Sequence, residues 1–336
     1  MTPPTRPLGR NGPPVTAIGF GAMSLGGIYG QGGTAEDKLA VLDHAHSIGE
    51  RFWDTAEGYF ESEALIGEWF KRSGKRDDIF LATKFAVHYS DWTSYRGDPE
   101  YVRFACERSL KTLGVDTIDL YYYHRVDSKT PIETTVAAMA ELKKEGKIRH
   151  LGLSEVSAAT IRRAHAVHPI SAVQIEYSLF CLDIEDPAID VLRTCRELGI
   201  AVVAYSPVGR GLLTGQVRSF DDLPENDFRR AVPKFSRENF PKVLELVAKV
   251  ELVAKRRGCT TAQACLAWLM AQGEDIIPIP GTKTIKYLDE NTAAAEVVLT
   301  EEDITELRQA AVETEIPGAR YPPGMTDSLF ADTPEL

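Results

Sequence analysis

The stretch IDLYYYHRVDSKTPIETTVAAMAELKKEGKIRHLGLS, residues 118–154, decides the fold class. It begins and ends with short, apolar, β-rich segments at 118–124 and 148–154, and the pattern between them at 132–145 is helical. Two neighbouring strands that are joined through a helix run parallel, because the helix carries the chain back before the second strand begins. This stretch therefore predicts a parallel α/β fold.

The same unit recurs along the chain. Candidate strands lie at 17–23, 51–55, 79–85, 118–124, 148–154, 172–177, 200–206 and 275–281. The helical patterns between and after them lie at 35–48, 62–72, 99–113, 132–145, 157–166, 186–198, 239–271 with a break at Gly258, and 284–296. Eight such pairs without a break in composition predict a closed (β/α)₈ TIM barrel, and they fit an open doubly wound sheet less well.

Additional segments extend the barrel at both ends. RPLGRNGPPVTAI predicts an N-terminal β-hairpin around Asn11-Gly12, placed to plug the bottom of the barrel. An extra C-terminal helix is expected at 301–315, and residues 316–336, which include four prolines, are expected to form an irregular tail. We expect a single domain over residues 1–336, with one long functional loop at 205–238.

Charge and composition exclude several classes of partner. The 49 acidic and 38 basic residues give a net charge of −11, which argues against nucleic acid or an acidic membrane as the main partner. No membrane helix is expected, because the uncharged stretch 11–35 is rich in glycine. The five cysteines lack metal-ligand spacing, so no metal site is expected. We expect a cytoplasmic protein that acts on a small molecule.

Four polar residues lie at the carboxyl ends of neighbouring candidate strands or in the loop that follows, where the active sites of such barrels lie. They are Asp54, Tyr59, Lys84 and His124. Reduction of a carbonyl requires a proton at oxygen, and a phenol with a pKa near 10 donates one poorly unless a cation lowers that pKa. Lys84 can supply the cation, Asp54 can keep Lys84 charged, and His124 can polarise the substrate oxygen. The four residues therefore predict carbonyl reduction.

The motifs FWDTAEGY, ATKF and YYYH, which contain these four residues, resemble the Asp, Tyr, Lys and His tetrad of the aldo-keto reductases. LGLSEVSAATIRRA, VQIEYSLF, AYSPVGRGLLTG and PIPGTKTIKYLDEN are most similar to the branch of pyridoxal and perakine reductases. The resemblance implies a barrel that binds NADPH across its mouth and reduces aldehydes or ketones to alcohols. Tyr59 would then be the proton donor.

The resemblance also implies the residues that bind the cofactor. They are Met23, Ser154, Gln174, Tyr205, Ser206, Pro207, Gly209, Arg210, Gly211, Leu212, Gly281, Thr282, Lys283, Glu290 and Asn291. Ser154 and Gln174 would hydrogen-bond the carboxamide, and Tyr205 would stack on the nicotinamide. The loop from Ser206 to Leu212 would cover the pyrophosphate. Lys283, at a predicted helix start, would meet the 2′-phosphate.

Aromatic residues suggest the substrate pocket. Tyr29, Phe60, Phe85, Tyr89 and Trp92 are the candidates, and they favour an apolar or aromatic aldehyde. The family commonly has Gly where this chain has Phe60, a departure that is expected to narrow the pocket or to change its shape. Two alternatives remain open from the sequence: a non-catalytic NADPH-binding regulator with the same fold, and a barrel aldolase in which Lys84 forms a Schiff base.

Overall fold

Eight parallel strands form a closed barrel in the computed structural model, which describes residues 3–28, 33–88 and 91–336. The barrel strands are β3 (Phe20–Gly21), β4 (Phe52–Asp54), β5 (Phe80–Phe85), β8 (Ile118–Tyr123), β9 (Ile148–Ser154), β10 (Ala172–Glu176), β11 (Ala201–Tyr205) and β12 (Ile276–Pro278). Each strand pairs in parallel with the next in chain order. The Gly19 and Gly21 amides donate to the Pro278 and Pro280 carbonyls, which closes the barrel between β12 and β3. The predicted fold is confirmed.

Ten α-helices surround the barrel in the described ranges. They are α1 (Ala35–Ser47), α2 (Ser62–Ser73), α3 (Pro99–Leu113), α4 (Ile132–Lys144), α5 (Ala158–Val167), α6 (Val191–Leu198), α7 (Phe240–Arg257), α8 (Thr261–Met270), α9 (Ile285–Ala293) and α10 (Glu301–Thr314). Local signals explain several boundaries: the Asp98 side chain accepts from the Tyr101 amide at the start of α3, and Gly258 at φ 65° ends α7.

Three predicted element boundaries were wrong. The helix expected from residue 186 begins only at Val191, because Pro187 precedes it and Asp190 has a left-handed φ of 59°. The strand expected at 17–23 pairs only over β3 and then turns into a 3₁₀ helix at Ala22–Gly26. The strand expected at 275–281 ends at Pro278, because proline at 278 and 280 removes backbone donors.

The N-terminal hairpin closes the bottom of the barrel. Its strands β1 (Thr5–Pro7) and β2 (Pro14–Thr16) are antiparallel, and Asn11 in the turn has a φ of 61°. Leu8 and Val15 belong to the same buried cluster as the barrel-interior side chains Phe52, Leu120 and Tyr122. Arg6 ties the hairpin to the barrel by donating to the Gly273, Ile276 and Met270 carbonyls. Burial of apolar side chains therefore fills this end of the barrel.

Loops at the opposite end cover the mouth of the barrel. A second hairpin, β6 (Val87–His88) and β7 (Asp91–Tyr95), follows β5 and was not predicted. The long loop after β11 is a series of 3₁₀ turns, at Gly209–Thr214, Phe220–Asp222, Phe228–Ala231 and Pro233–Phe235. The tail after α10 has one 3₁₀ turn, at Thr326–Ser328, and is otherwise irregular. None of the described helices is both long and apolar enough to cross a membrane.

Candidate active site

A cavity of about 850 Å³ opens at the carboxyl ends of the barrel strands. Its walls come from strand ends, from the long loop, from α9 and from the tail. Of the predicted site residues, those that line it are Met23, Asp54, Tyr59, Phe60, His124, Ser154, Gln174, Tyr205, Ser206, Pro207, Arg210, Gly211, Gly281, Thr282, Lys283, Glu290 and Asn291. The cavity is therefore continuous from the ends of β4 and β8 to helix α9.

An ion pair lies at the inner wall of this cavity. Lys84 Nζ donates to Asp54 Oδ1 and to the Thr55 carbonyl oxygen at 2.7 Å. Gln174 Nε2 donates to the other carboxylate oxygen of Asp54 at 2.8 Å. Burial lowers the pKa of Lys84 and raises the pKa of Asp54, while their mutual attraction opposes both shifts. The pair is desolvated, so its field acts strongly on its neighbours.

Tyr59 and His124 lie directly beside the ion pair. Lys84 Nζ is 4.9 Å from the centroid of the Tyr59 ring. The Tyr59 and His124 rings meet edge to face, with centroids 5.6 Å apart. Burial, followed by the Arg125 and Lys84 cations, lowers the pKa of His124 well below its ordinary value. The imidazole is therefore neutral at pH 7 and can donate its N–H without carrying charge.

Side chains alternate along β5, so two adjacent predicted site residues, Lys84 and Phe85, point to opposite faces of the strand. Lys84 points into the barrel, whereas Phe85 points outward and is fully buried, with its ring stacked on Tyr121 and Tyr123. The expected substrate contact at Phe85 is thus a misassignment. Tyr29 and Tyr89 lie outside the described residues, and the Trp92 side chain is likewise not described. Phe60 lines the cavity.

A buried charge network, missed in the sequence, lies behind the predicted nicotinamide platform Tyr205. The Tyr205 hydroxyl donates to Glu155 Oε1 at 2.8 Å. From the tail, Arg320 donates to Glu155 Oε2 at 2.6 Å and to Glu176 Oε2 at 3.1 Å. Arg210 also donates to Glu176, at 3.2 Å. The Arg210 side chain, expected near a pyrophosphate, is thus directed at a buried carboxylate.

The loop that follows Tyr205 has an unusual backbone. Gly209, Arg210 and Gly211 have successive positive φ values of 57°, 55° and 84°. A Cβ on Gly209 would come within 2.2 Å of the Phe180 ring, so only glycine packs there. Gly209 and Leu212, two of the predicted cofactor contacts, are buried within the loop and do not line the cavity.

The far end of the cavity is formed by the N-terminus of α9. Thr284 caps the helix by accepting from the Tyr287 amide, and Thr282 and Lys283 precede it at the cavity wall. The first backbone amides of a helix lack carbonyl partners and attract anions. Gly21 and Gly281 form a parallel bridge at this wall, and a Cβ on Gly21 would approach the Ile279 carbonyl to 2.8 Å. These donors and this close-packed wall fit an extended phosphate-bearing ligand.

Comparisons with known proteins point to one family. The profile described as "Aldo/keto reductase family" matches residues 17–312. The chain is 54% identical over 341 residues to aldo-keto reductase str7 of Strobilurus tenacellus, covering 100% of this chain and 99% of that protein. It is 50% identical to aldo-keto reductase yakc, whose name includes NADP(+), of Schizosaccharomyces pombe, with the same coverage.

Solved structures show the same architecture. A glycerol dehydrogenase from Gluconobacter oxydans has a TM-score of 0.82 and 27% identity, over 93% of this chain and 96% of its own. A thermostable aldo-keto reductase in complex with the inhibitor epalrestat has a TM-score of 0.71 and 28% identity, over 91% of this chain and 99% of its own.

Proposed function

Because this chain belongs to the aldo/keto reductase family, we propose that it is an NADPH-dependent carbonyl reductase that converts aldehydes or ketones to alcohols. The observation that carries the proposal is the contact group of Asp54, Lys84, Tyr59 and His124 at one end of a long cavity. The NADP(+) in the name of the yakc relative supports the choice of cofactor.

The residues at the other end of the cavity also support NADPH as the cofactor. Thr282 and Lys283 would hold the 2′-phosphate at the start of α9, with Glu290 and Asn291 beside the adenine. Ser154 and Gln174 would hydrogen-bond the carboxamide, and Tyr205 would support the nicotinamide ring. NADPH, when bound, supplies the hydride that carbonyl reduction requires.

The side chains of the contact group would handle the proton. Tyr59 donates its hydroxyl proton to the carbonyl oxygen, and the Lys84 ammonium stabilises the phenolate that forms. Asp54 keeps Lys84 oriented and favours its charged form. The neutral His124 donates a hydrogen bond to the same carbonyl oxygen and stabilises the charge that develops there.

The burial of Lys84 argues against the aldolase alternative. A lysine that forms a Schiff base must reach the substrate carbonyl, but Lys84 has an exposed fraction of 0% and does not line the cavity. Its ammonium already donates to Asp54 and to the Thr55 carbonyl.

Replacement of the proton donor tests the proposal. In Tyr59→Phe, we expect kcat for NADPH-dependent reduction of an aromatic aldehyde to fall by roughly 10²- to 10⁴-fold, because a positioned general acid is lost. NADPH affinity, measured by titration of protein fluorescence, is expected to stay within about threefold, since the hydroxyl contributes little to binding the cofactor.

Tyr121→Phe is the matched control, because its buried ring lies outside the cavity lining, and it should keep its kcat. A Tyr59→Phe variant with normal kcat would remove Tyr59 from the mechanism. NADPH binding without turnover of any aldehyde by the unmodified protein would favour the non-catalytic regulator.

A further inference from the structure

Arg125 directly follows His124 and lines the cavity beside the proposed proton donor. One guanidinium nitrogen, Nη1, donates to the His124 carbonyl at 2.7 Å and to Ser154 Oγ at 3.0 Å. The guanidinium carbon lies 6.0 Å from the centroid of the Tyr205 ring. These contacts hold the cation at the reacting end of the cavity.

The other cations near this site are matched by carboxylates. Lys84 pairs with Asp54, Arg210 pairs with Glu176, and Arg229 pairs with Asp227. Lys283 belongs to the opposite end of the cavity, at α9. The cavity lining in the described residues includes only two carboxylates, Asp54 and Glu290, and Glu290 lies on α9. The wall therefore carries an excess of positive charge at Arg125.

Glu155 is the carboxylate that acts on Arg125 through space, but its oxygens are already occupied. Oε1 accepts from Tyr205, Arg320 and the Glu176 amide, and Oε2 accepts from Arg320. Within residues 3–28, 33–88 and 91–336, no carboxylate lies within 4.0 Å of the Arg125 guanidinium, and its Nε and Nη2 have no hydrogen-bond partner. Two nitrogens of a permanent cation, which carry three N–H donors, are thus available to a ligand.

We propose that Arg125 binds an anionic group of the substrate, so that the preferred substrates are aldehydes or ketones with a carboxylate close to the carbonyl. This inference rests on the proposed function. A guanidinium and a carboxylate match in geometry, and their attraction is strong where apolar side chains displace water. Val87, Phe228 and Tyr321 provide such an apolar wall for the hydrocarbon part of the substrate.

Matched substrates test this assignment. The 2-, 3- and 4-carboxybenzaldehydes are compared with their methyl esters, which keep the shape and lose the charge, with NADPH as reductant. For at least one isomer we expect kcat/KM of the acid to exceed that of its ester by 10-fold or more. Arg125→Met should reduce this ratio by roughly 10- to 100-fold, mainly through KM, as expected for one charge-assisted hydrogen-bonded pair.

Further variants distinguish a loss of anion binding from a loss of folding. Arg125→Gln should behave like Arg125→Met, and Arg125→Lys should retain part of the preference because it keeps the charge. Arg149→Met, which removes an exposed arginine paired with Asp119 on the opposite side of the barrel, should leave the ratio intact. Benzoate, as an inhibitor competing with aldehyde, should bind Arg125→Met roughly 10- to 100-fold more weakly than the unmodified protein.

The outcomes separate this inference from the proposed function. Reduction of acids and esters with equal kcat/KM by the unmodified protein would overturn the role of Arg125 and leave the reductase intact. An unchanged acid-to-ester ratio in Arg125→Met and Arg125→Gln would do the same. If no aldehyde is reduced but benzoate still binds through Arg125, the reductase proposal fails and the anion site stands.

Discussion

Phe60 adopts a backbone conformation that glycine favours. Its φ is 49°, in the left-handed region, and it follows the proposed proton donor directly. A residue with a Cβ pays roughly 1–2 kcal/mol to occupy this region. The Phe60 side chain is 47% exposed and lines the cavity. The backbone at this position therefore favours glycine, the residue that the family resemblance leads us to expect there.

Phe60→Gly should therefore stabilise the protein while enlarging the cavity. We expect its free energy of unfolding to rise by about 1 kcal/mol, measured by urea titration, because the left-handed strain is removed. Phe60→Ala is the control, since it removes the ring and keeps the Cβ. Equal stabilisation by both changes would show that the ring, and not the backbone, carries the strain.

Secondary-structure elements orient the side chains of the site. Side chains alternate along β5, so Lys84 points into the barrel and Phe85 points outward. The two residues are adjacent in the motif ATKF, but Lys84 contacts Asp54 and Phe85 stacks on Tyr123. Helix α9 acts through its first turn, where Thr284 caps the Tyr287 amide, and within the described residues no acceptor bonds the amides of Ile285 and Lys286, which can therefore face an anion. Lys283 lies just before this turn and adds a full charge to the helix dipole.

The N-terminus of α9 predicts cofactor preference. Lys283→Ala should weaken NADPH binding by roughly 10- to 100-fold, because one charge-assisted contact to the 2′-phosphate is lost. NADH binding should hardly change, since NADH lacks that phosphate. Titration of protein fluorescence with both cofactors measures this. Lys286→Ala, whose ammonium lies 5.4 Å from the Tyr287 ring centroid, is the control. A loss of equal size for NADH and NADPH would contradict the assignment.

The tail joins distant parts of the whole molecule. Arg320 is 5% exposed, and it contacts Glu155 after β9, Glu176 at the end of β10 and the Tyr205 hydroxyl at the end of β11. Farther along the tail, the Ala331 amide donates to the Glu155 carbonyl, and Thr333 Oγ1 accepts from the Ile132 amide. The tail is therefore a structural part of the barrel mouth and supports the proposed nicotinamide platform.

Arg320→Met should destabilise the whole protein, because the buried Glu155 loses the cation it pairs with and the buried Glu176 keeps only its pair with Arg210 among the described residues. We expect the free energy of unfolding to fall by about 3–5 kcal/mol, the range for breaking a buried ion pair. NADPH affinity should also fall, since Tyr205 loses part of its support. Arg237→Met, which breaks an exposed pair with Asp221, should leave the urea midpoint nearly unchanged. A normal urea midpoint in Arg320→Met would contradict a structural role for the tail.

Local patterns in the sequence were enough to predict the α/β alternation, most helix boundaries and the four residues of the contact group. Helix caps such as Asp98 and Gly258 act within one turn, and strand ends recur at a regular spacing. Both features can therefore be recognised in a short stretch of sequence. The position of Phe85 could have been predicted from the same alternation, because Lys84 beside it was placed inside. Arg125 could have been recognised as a candidate site residue because it directly follows His124 in the sequence.

Only the tertiary structure decided the contacts between remote segments. Arg320 and Glu155 are 165 positions apart, and nothing in the composition of the proline-containing tail indicates that its arginine is buried against two strand ends. Closure of the barrel between Gly21 and Gly281 is likewise a pairing of distant backbones. The physical reason is that a buried charge is stable only where its counter-charges converge on it in three dimensions. The periodicity of the sequence therefore determined the helices and strands. The tertiary structure determined which buried charges pair with an opposite charge, and that Arg125 can pair with a ligand.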